Sequence, residues 1–233
     1  MNEGQALMRE SAPASIGRTS GIVLACGSIT MLVFMAMHPS PHAHDSNGLI
    51  SELAAGAVFN GTVHGVLMGT LAVVLLGMVG FAEQLGLRRI IVRGGLTAYA
   101  IGVVALIGAA TVNGFIVPAV AARYAGDDPG VLDRIRALLV LCHEMNQACD
   151  HLGIVALSAA ALLWSLELLR RGGASRAIGV LGLICGLLPP AALFAGRLPM
   201  NVHGFGGFVL LQTIWYLAIA VQLIRGRIKS TAC

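Results

Sequence analysis

"VHGVLMGTLAVVLLGMVGFA", residues 63–82, runs for twenty residues without a charge, and only His64 and Thr70 carry polar side chains. A helix rises about 1.5 Å per residue, so this run reaches about 30 Å, the thickness of a bilayer's hydrocarbon core. A strand of a membrane barrel would alternate lipid-facing and lumen-facing residues, and this stretch does not. It reads as a membrane-spanning helix.

Working outward, five more runs of this kind occur, at residues 21–37, 95–117, 152–169, 177–195 and 202–224. The 233-residue chain is 57% hydrophobic and 11% charged, where a soluble domain carries about 25% charge. The expected fold is all-α: a polytopic membrane bundle of six transmembrane helices in three helical hairpins. One membrane domain covers residues 19–226. It lies between a polar N-terminal segment, 1–18, expected to be disordered, and a short tail, 227–233. The first run follows Arg9 and Arg18 as a secretory signal would. It is longer than a signal's apolar region and no small-residue cleavage site follows it, so it counts as the first span.

Eleven of the 15 basic residues, among them Arg88, Arg89, Arg170, Arg171 and Arg225, fall on one side of this layout. Four, Arg123, Arg134, Arg136 and Arg197, fall on the other. Lys and Arg concentrate on the cytoplasmic side of membrane proteins, so both termini are expected inside, in a multi-pass protein of the cell inner membrane. The net charge of +4 then belongs to topology. Basic residues scattered over helix ends do not make the stripe that binds nucleic acid. The expected partner is the lipid bilayer, with self-association or a place in a larger membrane complex left open. Cys142 and Cys149 are about 10 Å apart along one helix, too far for a disulfide.

Against this apolar background, "LCHEMNQACDHLG", residues 141–153, holds two histidines, two carboxylates, two cysteines and two amides. At 100° per residue His143, Asn146, Gln147 and Asp150 share one helix face, with Glu144 and His151 at its edge. Upstream, Asp128 and Pro129 are suited to open a helix. Residues 131–139 then read as a short amphipathic helix resting on the outer surface.

All seven histidines, 38, 42, 44, 64, 143, 151 and 203, fall at the outer end of a helix or in an outer loop. Measured from Arg88, Arg170 and Arg225 along their own helices, His64, His151 and His203 stand about 36, 29 and 33 Å up. Three parallel helices therefore present imidazoles near one level, with His38 ending the first helix beside them. Imidazole suits Zn, Cu or Fe, so His64, His151, His203 and His38 are the candidate metal ligands. Asp150 and Glu144 are the candidate catalytic carboxylates. Asp150 is expected to accept an imidazole N–H from another helix and so fix a ligand tautomer. Gly65, Gly204 and Asn113 are candidates for lining a cofactor or substrate space. Glu83 and Glu167, near inner helix ends, read as solvated.

The function expected from this pattern is a metal-dependent membrane enzyme, open to the outer (periplasmic) face, that hydrolyses or oxidises a lipid or other apolar substrate. Alternatives are a haem-binding or electron-transfer subunit, with haem b on two of the histidines, and a metal or small-molecule transporter. A transporter would be expected to carry charged groups on through its inner half, and none follow here.

Overall fold

The computed structural model describes the backbone of residues 3–40, 45–126 and 128–228. It is built of helices: α1 (Glu3–Ala36), α2 (Ser46–Ala55), α3 (Ala57–Leu85), α4 (Ile90–Thr111), α5 (Val117–Tyr124), α6 (Pro129–Leu169), α7 (Gly173–Phe194) and α8 (Val202–Ile224). A π-helical segment, Val112–Ile116, joins α4 to α5 without a break. Six stretches are long and apolar enough to cross a membrane: Ser15–Ala36, Ala57–Leu85, Ile90–Tyr124, Arg134–Leu169, Gly173–Phe194 and Val202–Ile224. The protein is a multi-span membrane helix bundle.

The spans close into a ring. α1 packs on α3 and α8, α4 on α3 and α6, and α7 on α6 and α8. The first two hairpins, α1 with α3 and α4 with α6, are tightly packed, whereas α7 and α8 meet only sparsely. The third hairpin is therefore held mainly by α7 against α6 and α8 against α1. Glycines permit the close crossings: a Cβ on Gly77 would lie 2.7 Å from Leu24 Cβ, and one on Gly21 would lie 2.8 Å from the Ala220 carbonyl. Lipid tails are as apolar as the side chains, so such close packing, more than apolar burial, joins helices in a bilayer.

An aromatic core fills the half of the bundle nearer the arginine-rich end. Trp164 and Trp215 stack at 6.5 Å, with Tyr99, Tyr216 and Phe81 around them. Each indole N–H donates to a backbone carbonyl, Trp164 to Val92 and Trp215 to Ile178, at 3.2 Å, because a polar group sealed in apolar surroundings must be paired.

Two expectations change. The segment 131–139 is not a separate surface helix but the first turns of α6, which is 41 residues long, or about 62 Å. Its start is as expected: Asp128 Oδ1 accepts from the Gly130 N–H at 2.8 Å, and Pro129 sits in the first turn. Nothing interrupts the helical bonding between Pro129 and the apolar part, so the helix projects well past the hydrocarbon. Glu167 is not solvated: it is 1% exposed and ion-paired with Arg89 and Arg170. The turn between α3 and α4 lays Arg89 over the end of α6, and the carboxylate is covered there.

Candidate functional site

At the end of the bundle away from the arginines, the helices splay around a cavity of about 740 Å³. Its walls are mostly apolar, with Met31, Met35, Leu67, Leu71, Phe205 and Val209 among them. Polar residues lining it include His38, Ser40, Glu52, Asn60, His64, Asn113, His143, Asn146, Gln147, Asp150, Asn201 and His203. A mostly apolar chamber with a few convergent polar groups is the usual form of a small-molecule site.

At its centre, His38 and His64 meet edge to face, with ring centroids 4.6 Å apart and Nε2 atoms 3.1 Å apart. Each Nδ1 lies against a backbone carbonyl, that of Pro39 for His38 (3.0 Å) and that of Asn60 for His64 (2.9 Å). A carbonyl only accepts, so each Nδ1 must carry a hydrogen. A neutral imidazole has one N–H, which leaves both Nε2 atoms as acceptors facing one another. Two lone pairs at that distance repel unless a positive centre lies between them.

His64 is 3% exposed and is held there by α3 and the π-helical segment. Asn60, one turn earlier on α3, donates from Nδ2 to the Asn113 carbonyl at 2.9 Å. The Asn113 amide nitrogen lies 3.5 Å from His64 Nε2. Asn113 belongs to the π-helical segment, where the chain approaches Pro118, which lacks an N–H to continue the α-helical ladder. Such segments recur at functional sites because they re-aim side chains. Beside it, Gly114 lets α3 come close: a Cβ there would stand 2.3 Å from His64 Cβ. His38, beyond the end of α1, is held below its ordinary pKa by burial, partly offset by its bond to Pro39.

The predicted face of α6 holds: His143, Asn146, Gln147 and Asp150 all line the cavity. Gln147 Nε2 donates to the Met200 carbonyl at 3.1 Å, tying α6 to the turn before α8. Asp150 is not bonded to an imidazole of another helix; it accepts from Asn146 Nδ2 at 2.9 Å. The histidine tautomers are fixed by backbone carbonyls instead. Glu144 is exposed and away from the cavity.

The expected convergence of His64, His151 and His203 is replaced by a meeting of His38 with His64. His203 lines the same cavity, but His151 is exposed and does not. Following Asp150 by one residue, His151 is turned about 100° from the cavity-facing side of α6. Gly65 and Gly204 do not line the cavity either. Gly204 serves the close turn before α8, where a Cβ would meet the Pro199 carbonyl at 1.9 Å, and Gly65 lies in ordinary contact range of Phe115. His42 and His44 lie outside the described residues.

Sequence reasoning missed Asn60, Gly114 and the π-helical turn. The i, i+4 spacing of Asn60 and His64 and the pattern "NGFIVP" at 113–118 were the available signals. Among the described residues, no group of three or more His, Cys, Asp and Glu side chains is arranged to hold a metal ion. The four described cysteines are free thiols. Compared with protein-family models, curated proteins and solved structures, the chain matches none.

Proposed function

We propose that this protein holds a transition-metal ion between His38 and His64 and uses it, as a membrane enzyme, to hydrolyse or oxidise an apolar or lipid-like molecule admitted to the cavity. The observation that carries this reading is the Nε2···Nε2 approach of 3.1 Å between two imidazoles whose Nδ1 atoms both donate to backbone carbonyls. Two nitrogens bound to one tetrahedral metal at about 2.0–2.1 Å stand about 3.3 Å apart. A ligand histidine ordinarily donates its other ring N–H to a carbonyl or carboxylate. The Asn113 amide stands beside His64 Nε2, and His143, Asp150 and His203 line the space a substrate would fill. The apolar walls favour a substrate drawn from the bilayer. Zn, Cu and Fe all accept imidazole.

A second reading is favoured by the absence of a third clustered His, Cys, Asp or Glu among the described residues. On it, the two imidazoles share one proton and offer it to a ligand in the cavity.

Elemental analysis and a visible spectrum of the detergent-purified protein separate these readings. About one metal ion per chain is expected, lost in both His38→Ala and His64→Ala and kept in His151→Ala. Metal-free wild-type protein would sink the metal reading and leave the shared proton. A Soret band would select the haem alternative. The basic asymmetry of the chain supports an outward-facing cavity. A cysteine placed at exposed Ser51 should then react with an impermeant reagent in intact cells, and one at Arg88 only after permeabilisation. The reverse pattern would invert the orientation.

A further inference from the structure

The opposite end of the bundle has a second cavity of about 740 Å³, lined by Arg89, Arg170, Arg171, Arg227, Ser175 and Gln222, with the first turn of α7. Four arginines line it from three separate parts of the chain; among the described residues buried Glu167 pairs with Arg89 and Arg170, and Arg171 donates from Nη2 to the Leu85 carbonyl at 3.0 Å. Glu167 thus positions two of the arginines. Burial and the nearby Arg89 push the Arg171 guanidinium below its ordinary range, with Glu167 opposing.

Two further features suit an anion with hydroxyl groups. The start of α7, a helix of 22 residues, has no side-chain cap: Gly172 precedes it at φ +74°, and Gly172, Ala174 and Ser175 line the cavity. Backbone N–H groups at a helix start favour phosphate. Gln222 also lines this cavity, 8% exposed, and its Oε1 has no hydrogen-bond partner among the described residues. It is an acceptor that a ligand hydroxyl could meet.

The general abundance of arginine at this end follows from membrane topology, but topology asks only that basic residues be on this side. Arg88, Arg93, Arg176 and Arg225 satisfy it without lining the cavity. The convergence of the other four on one space is a separate fact.

We infer that this arginine cavity binds a phosphate-bearing anion with hydroxyl groups, either the headgroup of an anionic phospholipid or a soluble phosphate ester. The site lies where the spans end, the depth at which lipid phosphates sit, and basic pockets at such positions recognise anionic headgroups. The inference is independent of the chemistry proposed at the other end.

The test uses the full-length protein in detergent, with lipid retention read by native mass spectrometry and thermal stability followed in parallel. One arm adds phosphatidylglycerol, with phosphatidylcholine as the neutral comparison; the other adds glycerol phosphate at constant ionic strength. Preferential retention of phosphatidylglycerol, weakened roughly fivefold by Arg227→Gln and unchanged by Arg88→Gln, supports a lipid site. A response to glycerol phosphate alone, with the same dependence on Arg227, supports the soluble source. Arg227 is exposed, so its variant should fold, and its melting without ligand verifies this. Equal retention of both lipids with no response to glycerol phosphate overturns the inference. So does an equal loss in Arg88→Gln and Arg227→Gln, because net charge would then explain the binding.

Discussion

The two ends of this bundle solve opposite problems with polar groups in an apolar protein. At the arginine end, formal charges dominate, and the buried carboxylate of Glu167 is matched by Arg89 and Arg170. At the histidine end, the groups around His64 are amides, carbonyls and imidazoles that bond to one another and to the backbone. Within that network the two Nε2 atoms face each other at 3.1 Å, with the Asn113 amide nitrogen 3.5 Å from that of His64. Matched charges tie helices together at one end, whereas at the other two imidazoles meet through their Nε2 atoms. The difference teaches that ion pairing across helices organises the arginine end, whereas hydrogen bonds among imidazoles, amides and backbone carbonyls organise the histidine end.

The comparison breaks most readily at Glu167. Glu167→Ala removes the buried member of this ion pairing and should cost about 3 kcal/mol, the low end for a broken buried pair, because Arg89 and Arg170 keep access to water. Reversible unfolding in mixed micelles measures this. A change below about 1 kcal/mol would make the ion pairing ornamental. Arg170→Ala, at a side chain 70% exposed, should by contrast cost less than about 1 kcal/mol.

Gly114→Ala attacks the other end. The added methyl would stand 2.3 Å from His64 Cβ, so α3 and the π-helical segment must separate, at about 1–3 kcal/mol for overpacking. Metal content should fall with it. Retained metal in a destabilised Gly114→Ala would detach the π-helical segment from the site. Asn60→Ala comes next, costing about 1 kcal/mol for the lost bond to the Asn113 carbonyl. Asp150→Asn should leave metal content unchanged, since Asp150 is bonded to Asn146 and not to either imidazole. A loss of metal there would restore Asp150 as an orienting group.

A smaller effect depends on pH. Burial holds His38 below its ordinary value of 6.5, so the unfolded chain takes up a proton that the folded chain resists. This contribution to stability is complete above pH 6.5 and is lost as pH falls below it. A stability-against-pH curve of metal-free protein should show that decline and lose it in His38→Ala. The smallest effect serves as control: Gly69→Ala, with nothing within 4 Å of the added Cβ, should leave melting and metal content unaltered.

The sequence by itself determined the architecture. Runs such as 63–82 have no stable place outside a bilayer or a large core, and a spanning segment must be helical because its backbone has no water to bond. It also determined the polar face of α6, because helical periodicity depends only on spacing. Periodicity along one helix does not set the rotation of that helix against its neighbours. His151 turns outward and His38, from beyond the end of α1, takes the partner's place beside His64. Glu167 looked like a surface residue because its burial depends on Arg89, 78 positions away in the chain. Only the tertiary structure decided these pairings, because a local pattern does not encode the distance or rotation between two helices.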